Sequence, residues 1–228
     1  MGMTTNGVAA MVSTSLTLPP VLFFDALWVI GMVAMMFPAM IPLLLVYNKV
    51  VTKAEANPQL ARTVGTPLFL VGYLATYALL GLGAYLSISV ALLIAPSFPW
   101  VAQLSLAIPS AVLIGTGIYQ FTPLKNRCLS KCISPLGFFS VHAKRGLAGS
   151  FQMGFSHGSY CVGCCWAFML VMLVVGAMSL PIMGLLSVLI AVEKVVARGS
   201  RLYNLGVALL FVFLGVVVWL VPGLLGML

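Results

Sequence analysis

The chain has 228 residues, of which 62% are hydrophobic and 6% are charged, and its formal net charge is +8. Soluble domains carry about 25% charged residues, so this composition excludes an ordinary soluble protein and predicts an all-α, polytopic membrane protein. The eleven lysines and arginines are scattered between apolar segments rather than clustered with stacking aromatics, which argues against nucleic-acid binding. We therefore expect a single transmembrane domain over residues 1–228, with the lipid bilayer around most of it.

Six apolar segments predict transmembrane helices. A span needs about 20 apolar residues, and prolines or polar linkers separate the successive segments. The predicted spans, in chain order, are about 21–47, 67–95, 101–122, 150–178, 181–196 and 202–220. A break at Pro181 divides the longest apolar stretch in two, because proline suits the first turn of a new helix.

The basic residues lie in three linkers between the predicted spans. Residues 48–66, 123–149 and 193–201 hold all eleven lysines and arginines, and six spans place these linkers on one side. The positive-inside rule then predicts cytoplasmic linkers and both termini non-cytoplasmic, in a multi-pass protein of the cell inner membrane. The cysteine count is odd and no cysteine falls in a loop predicted outside, so a disulfide framework is not indicated.

The fourth predicted span carries the residues with the clearest chemistry. His157, Cys161, Cys164 and Cys165 lie at i, i+4, i+7 and i+8, so they share one helix face. Imidazole and thiolate groups on one face are ligands of a soft metal, with copper as Cu(I) first and zinc second. One helix does not complete a tetrahedral shell without strain, so we expect two or three ligands here and the remainder from another helix.

The first predicted span carries a methionine stripe. Met32, Met35, Met36 and Met40 recur at i, i+3, i+4 and i+8 on one helix face. Apolar packing alone would explain this stripe, but thioethers that face the fourth span would complete a Cu(I) site. We therefore name Met32, Met35 and Met36 as candidate metal ligands, together with the histidine and the three cysteines of the fourth span.

Five further side chains have roles that the sequence leaves open. Cys128 and Cys132 lie at i, i+4 in a basic linker expected at the membrane interface, where they either pass metal on or are unremarkable thiols. Glu193 and Lys194 close the fifth span. They form either an interfacial pair that reaches the surface, or a site whose carboxylate orients the histidine or receives an ion. Asp25, near the outer end of the first span, is either an interfacial residue or a cation ligand.

Four sequence segments together resemble a bacterial family of predicted metal-binding integral membrane proteins, a domain family of unknown function. The segments are AMMFPAMIP (34–42), TPLKNRCLSKCISPLGF (122–138), HGSYCVGCCWAFML (157–170) and the pair Glu193-Lys194. The pattern His-Gly-x-Tyr-Cys-x-Gly-Cys-Cys-Trp is specific, and the resemblance extends from about Trp28 to Lys194. It implies metal binding by the histidine and cysteines of the fourth span and draws attention to Cys128, Cys132 and Glu193, without choosing the metal.

These observations predict a membrane-embedded soft-metal protein rather than an enzyme. It would act in copper handling or as an accessory subunit, with the metal ion and other subunits of a membrane complex as its partners. Two alternatives stay open, namely a membrane thiol-disulfide oxidoreductase built on Cys161 and Cys164, and a purely structural subunit. The depth of this cysteine pair in its span disfavours the oxidoreductase, because a protein partner would not reach it.

Overall fold

The fold is a bundle of apolar helices, seen in a computed structural model that describes residues 18–51, 57–94, 107–175 and 180–221. Every regular element within those residues is helical. The helices are α1 (Leu18–Val46), α2 (Thr66–Ile94), α3 (Ala107–Tyr119), α4 (Pro123–Ile133), α5 (Pro135–His142), α6 (Gly146–Val175), α7 (Leu180–Ala191) and α8 (Arg201–Leu220). π-helical turns follow α1 (Tyr47–Val51) and α7 (Val192–Val196), and a third (Ala61–Gly65) joins the short helix Pro58–Leu60 to α2.

Four helical segments are long and apolar enough to cross a membrane: Leu18–Phe37, Pro58–Ile94, Gly146–Val174 and Arg201–Leu220. They coincide with the first, second, fourth and sixth predicted spans. The other two are shorter, because α3 has 13 residues and α7 has 12 before its π-helical turn. Parts of the predicted spans, at 95, 101–106 and 176–178, lie outside the described residues. Six spans and the sides on which the termini lie therefore stay predictions.

The basic linker between the third and fourth predicted spans is folded against the bundle. Thr122 and Ser134 cap α4 and α5, since each side chain accepts a hydrogen bond from a backbone amide three residues on, and each is followed by proline. Helix α4 then packs along α6. This packing brings Cys132 to the fourth predicted span, and the expected interfacial position of the linker stays a prediction.

Helices α2 and α6 approach each other backbone to backbone. A Cβ atom on Gly154 would overlap the carbonyl oxygen of Phe69, and one on Gly72 would overlap that of Phe151. Small residues permit such an approach, and a neighbouring helix at this distance leaves little freedom to shift or rotate. The contact therefore holds α6, which carries the cysteine-rich motif, in a fixed position.

Replacing Gly154 with alanine is expected to destabilise the bundle by about 1–3 kcal/mol, because the added methyl group meets a backbone carbonyl rather than a flexible side chain. Thermal unfolding of the detergent-solubilised protein, followed by helical circular dichroism, measures this loss. Gly83→Ala on α2 is the matched control, since a Cβ atom there meets nothing within 4 Å and alanine favours a helix. Equal stability of the two variants would contradict the close contact at Gly154.

Candidate metal centre

Three cysteines from two helices form the core of the candidate site. The sulfur atoms of Cys132, Cys161 and Cys164 all lie within 4.8 Å of one another. Helix α6 supplies Cys161 and Cys164 from successive turns, and α4 supplies Cys132, whose Sγ is 3.8 Å from Cys164 Sγ. Cys161 and Cys164 are buried. Sulfur donors at this spacing are the ligand set that soft metal ions prefer.

Cys132 is the member of this cluster that the sequence left undecided. The sequence predicts that α6 needs ligands from another helix and points to the methionines of the first span. The structure instead brings a cysteine of the basic linker to the motif. The available signal was the i, i+4 spacing of Cys128 and Cys132. Cys128 is partly exposed, and partial burial raises the pKa of its thiol, so it is protonated at neutral pH.

A narrow cavity lies beside the sulfur cluster. Its lining combines residues of α1, α2, α4, α6 and the turn after α7: Met36, Met40, Tyr73, Cys132, His157, Cys161 and Lys194. The free space does not hold a water-sized sphere, which suits an ion that has shed its water shell. Two methionines of the first predicted span and one cysteine of the fourth, Cys161, thus share one cavity.

The predicted methionine ligands differ in their positions. Met32, Met35, Met36 and Met40 are all buried on one face of α1. Met36 lines the cavity together with Met40, which the prediction placed on the stripe but not among the ligands. Met32 and Met35 lie outside the described lining. The stripe therefore contributes to the site at one end and to the packed core over the rest of its length.

His157 and Cys165 lie next to the sulfur cluster rather than within it. Cys165 Sγ is 3.3 Å from Cys164 Sγ, but among the described residues the compact group of three sulfurs does not include it. His157 lines the cavity, and its ring centroid is 6.1 Å from that of Tyr73. Its Nδ1 atom is buried and has no hydrogen-bond partner within the described part of the chain. Of the predicted residues, Cys161 and Cys164 hold the central positions.

Lys194 brings a buried cation to the sulfur cluster. Its Nζ donates a hydrogen bond to Cys161 Sγ at 2.9 Å, and the hydroxyl of Tyr73 lies 3.5 Å from the same sulfur. A buried ammonium requires a negative partner, and Cys161 in its thiolate form would supply one. Sequence reasoning missed this contact because a lysine at the end of an apolar span ordinarily extends to the surface.

A buried ion pair lies directly beside this contact. Glu193 Oε1 is 2.5 Å from Lys125 Nζ, and both side chains are at most 1% exposed. Lys125 also donates a hydrogen bond to the side-chain oxygen of Gln120. The π-helical turn Val192–Val196 widens the helix locally, and both Glu193 and its neighbour Lys194 are buried there. This turn links α4 and the sulfur cluster to the end of α7.

The structure corrects two of the predictions for Glu193 and Lys194, whereas a carboxylate that receives an ion stays a prediction. They are not an interfacial pair, because both side chains are buried, and the carboxylate pairs with Lys125 rather than orienting His157. Lys125 and Lys194 were also counted among the basic residues of the surface linkers. Both lie in the interior, so the charge argument for topology depends on the remaining basic residues.

Asp25 lies on α1 away from the cavity lining. A Cβ atom on Gly81 of α2 would overlap its Oδ1 atom, which is buried without a hydrogen-bond partner among the described residues. The predicted choice between an interfacial residue and a cation ligand stays open for this carboxylate.

The fold and the site together define an all-helical protein with a buried cysteine cluster suited to a soft metal. A family model described as "PpoB2: Copper chaperone" matches residues 26–218. This match covers most of the chain, so the protein belongs to the PpoB2 copper chaperone family. No curated protein and no solved structure matches the chain. The predicted membership of a metal-binding family is confirmed at that level, and the family indicates copper handling.

Proposed function

We propose that the protein is a membrane-embedded copper chaperone that holds Cu(I) at the cluster of Cys132, Cys161 and Cys164. The observation that carries this proposal is the convergence of three sulfur atoms within 4.8 Å, two of them from buried cysteines of an apolar bundle. Met36 and Met40 line the adjoining cavity and add thioethers, which are also soft donors. His157 lies close enough to the cavity to serve as a further ligand as the ion enters or leaves.

The outer surface of the helices supports placement in a bilayer. Large apolar side chains more than half exposed occur on α1, α2 and α8: Leu22, Phe23, Leu79, Leu209, Phe213 and Trp219. An apolar surface of this extent is unfavourable in water, and helices satisfy their own backbone hydrogen bonds in lipid. We assign six crossings of the cell inner membrane, with both termini non-cytoplasmic, from the distribution of the basic linkers.

The buried charges support a function within the bundle. Ionisable side chains inside a membrane bundle are costly and are usually retained for function. Lys194 balances the Cys161 thiolate before the metal arrives. The ion pair of Lys125 with Glu193 ties α4 to the turn that carries Lys194, and α4 carries Cys132. The pair therefore keeps the third sulfur at the cluster.

Anaerobic loading of the purified, detergent-solubilised protein with Cu(I) tests the proposal. Elemental analysis is expected to give about one copper per chain, and X-ray absorption is expected to show mainly sulfur neighbours. Parallel loading with Zn(II) compares the second predicted metal at the same site. Protein that retains neither metal, or copper bound mainly by oxygen and nitrogen, would contradict the proposal.

The thiol-disulfide oxidoreductase is the less favoured alternative. All five cysteines are free, and Cys161 and Cys164 are only 3% and 1% exposed, whereas exchange requires a partner sulfur to reach them. Rapid alkylation of Cys161 in intact membranes would favour this alternative. The proposal involves no chemical conversion of a substrate. Delivery of the copper to a larger membrane complex, with the chain as an accessory subunit, stays a prediction.

A further inference from the structure

Cys128 lies between the polar surface of α4 and the sulfur cluster. It precedes Cys132 by one helical turn on the same helix, and its side chain is partly exposed. Its neighbours Asn126, Arg127 and Ser130 are exposed and form a polar face. Cys132 is also partly exposed, but its sulfur belongs to the cluster, so Cys128 is the partly exposed thiol that lies outside it.

Gly163 on α6 leaves the space that this thiol occupies. A Cβ atom at Gly163 would lie 2.7 Å from Cys128 Sγ, closer than two such atoms pack. Gly163 directly precedes Cys164, and the hydroxyl of Tyr119 donates a hydrogen bond to its carbonyl oxygen. The Cys128 thiol therefore rests on the turn of α6 that carries the cluster, at a point where the backbone is tethered to α3.

We infer that Cys128 is the first thiol to receive copper, and that it passes Cu(I) to Cys132 and so into the cluster. This inference rests on the proposed function and adds the route by which the site is loaded. The exposed Arg127 and the partly exposed Lys131 attract an anionic donor. A Cu(I) ion held by two thiolates is such an anion. The donor class is therefore an anionic Cu(I)–thiolate complex.

Each transfer exchanges one thiol for another at copper. In the first step a bond between copper and a donor sulfur breaks, a bond to Cys128 Sγ forms, and the Cys128 proton moves to the departing donor thiolate. In the second step the bond to Cys128 breaks, a bond to Cys132 Sγ forms, and the Cys132 proton moves to Cys128. Copper stays Cu(I) throughout, so no oxidant or reductant takes part.

The variant Cys128→Ser tests the loading route and leaves the three sulfurs of the cluster in place. Full-length protein in detergent is mixed anaerobically with the Cu(I)–glutathione complex, and bound copper is followed over time. Affinity is measured separately by competition with bicinchoninate. We expect loading to slow by about tenfold or more while the affinity changes by less than about twofold, because the thiol outside the cluster holds the donor complex one helical turn from Cys132. Ser130→Ala, on the exposed face of the same helix, is the matched control and is expected to load normally.

A second variant, Gly163→Ala, keeps all five cysteines and displaces only the Cys128 side chain. Gly163→Ala places a methyl group against Cys128 Sγ, the movable end of its side chain, and is expected to slow loading with the affinity retained. Retained affinity in either variant also shows that the protein is folded.

Loading of Cys128→Ser at the wild-type rate would overturn the route alone. An affinity loss in Cys128→Ser as large as that of Cys132→Ser would also overturn it, since Cys128 would then be a ligand of the site. A wild-type protein that binds no Cu(I) would overturn the proposed function and the route with it.

Discussion

Cys161→Ser is expected to weaken Cu(I) binding by about a hundredfold or more. The substitution removes one of the three sulfurs of the proposed site, and it also takes away the sulfur that the Lys194 ammonium contacts at 2.9 Å. Both effects act on the same site, so the loss exceeds that of an ordinary ligand. Competition with bicinchoninate under anaerobic conditions measures the affinity of the wild type and the variant.

Cys165→Ser is the matched control for this prediction. Cys165 is as deeply buried as Cys164 and adjacent to it, but its sulfur lies outside the three-sulfur cluster. We expect the affinity of Cys165→Ser to fall by less than about tenfold, which is a difference below about 1.4 kcal/mol. A loss equal to that of Cys161→Ser would show that Cys165 is a ligand, as predicted from the helical spacing, and that the cluster is larger than these three sulfurs.

Glu193→Gln is expected to destabilise the fold by about 3–5 kcal/mol, because it leaves the Lys125 ammonium buried with neutral partners only. Thermal or denaturant unfolding of the detergent-solubilised protein measures the change. The double variant Lys125→Met with Glu193→Gln is expected to recover part of the loss, because no unpaired charge then remains inside.

A Glu193→Gln variant as stable as the wild type would contradict the buried ion pair. Copper loading of the same variant tests a second role of the ion pair, which is to anchor the helix that carries Cys132. We expect weaker copper binding in the single variant even at temperatures where it is fully folded.

The ligand face of α6 is predictable from the sequence because it depends on one helix. The intervals between His157, Cys161 and Cys164 match the helical repeat, so their common face follows from local geometry. The same reasoning gave Cys165 equal weight, because a repeat of 3.6 residues does not distinguish neighbours at the edge of a face. In the structure the two cysteines differ because α4 places Cys132 next to Cys164, and the cluster of three sulfurs includes Cys164 but not Cys165.

The partners of that face were not predictable, because they come from distant parts of the chain. Whether Cys132 meets α6 depends on how a short capped helix packs, and hydrophobic periodicity does not encode such contacts. Glu193 and Lys194 show the same limit. Two adjacent charges after an apolar segment ordinarily indicate a membrane surface. In the structure both side chains are buried, because they lie in a π-helical turn and Glu193 pairs with the distant Lys125. Hydropathy, by contrast, identified the four longest helices because their length and composition are local properties.

The position of the turn Val192–Val196 near the C-terminal end of the chain has a consequence for biogenesis. During synthesis α4 and α6 emerge well before Glu193 and Lys194, so Lys125 and the cluster cysteines precede their counter-charges. Contacts between residues far apart in the sequence form late in folding, and exposed intermediates are prone to misassembly. In the proposed membrane setting, a nascent chain that ends before this turn would carry on α4 a lysine without its carboxylate partner, which would oppose burial of that helix in hydrocarbon. For a protein with the proposed function, insertion of α7 and its π-helical turn would therefore be the step that commits α4 to the bundle, and copper binding would follow only after translation of that turn.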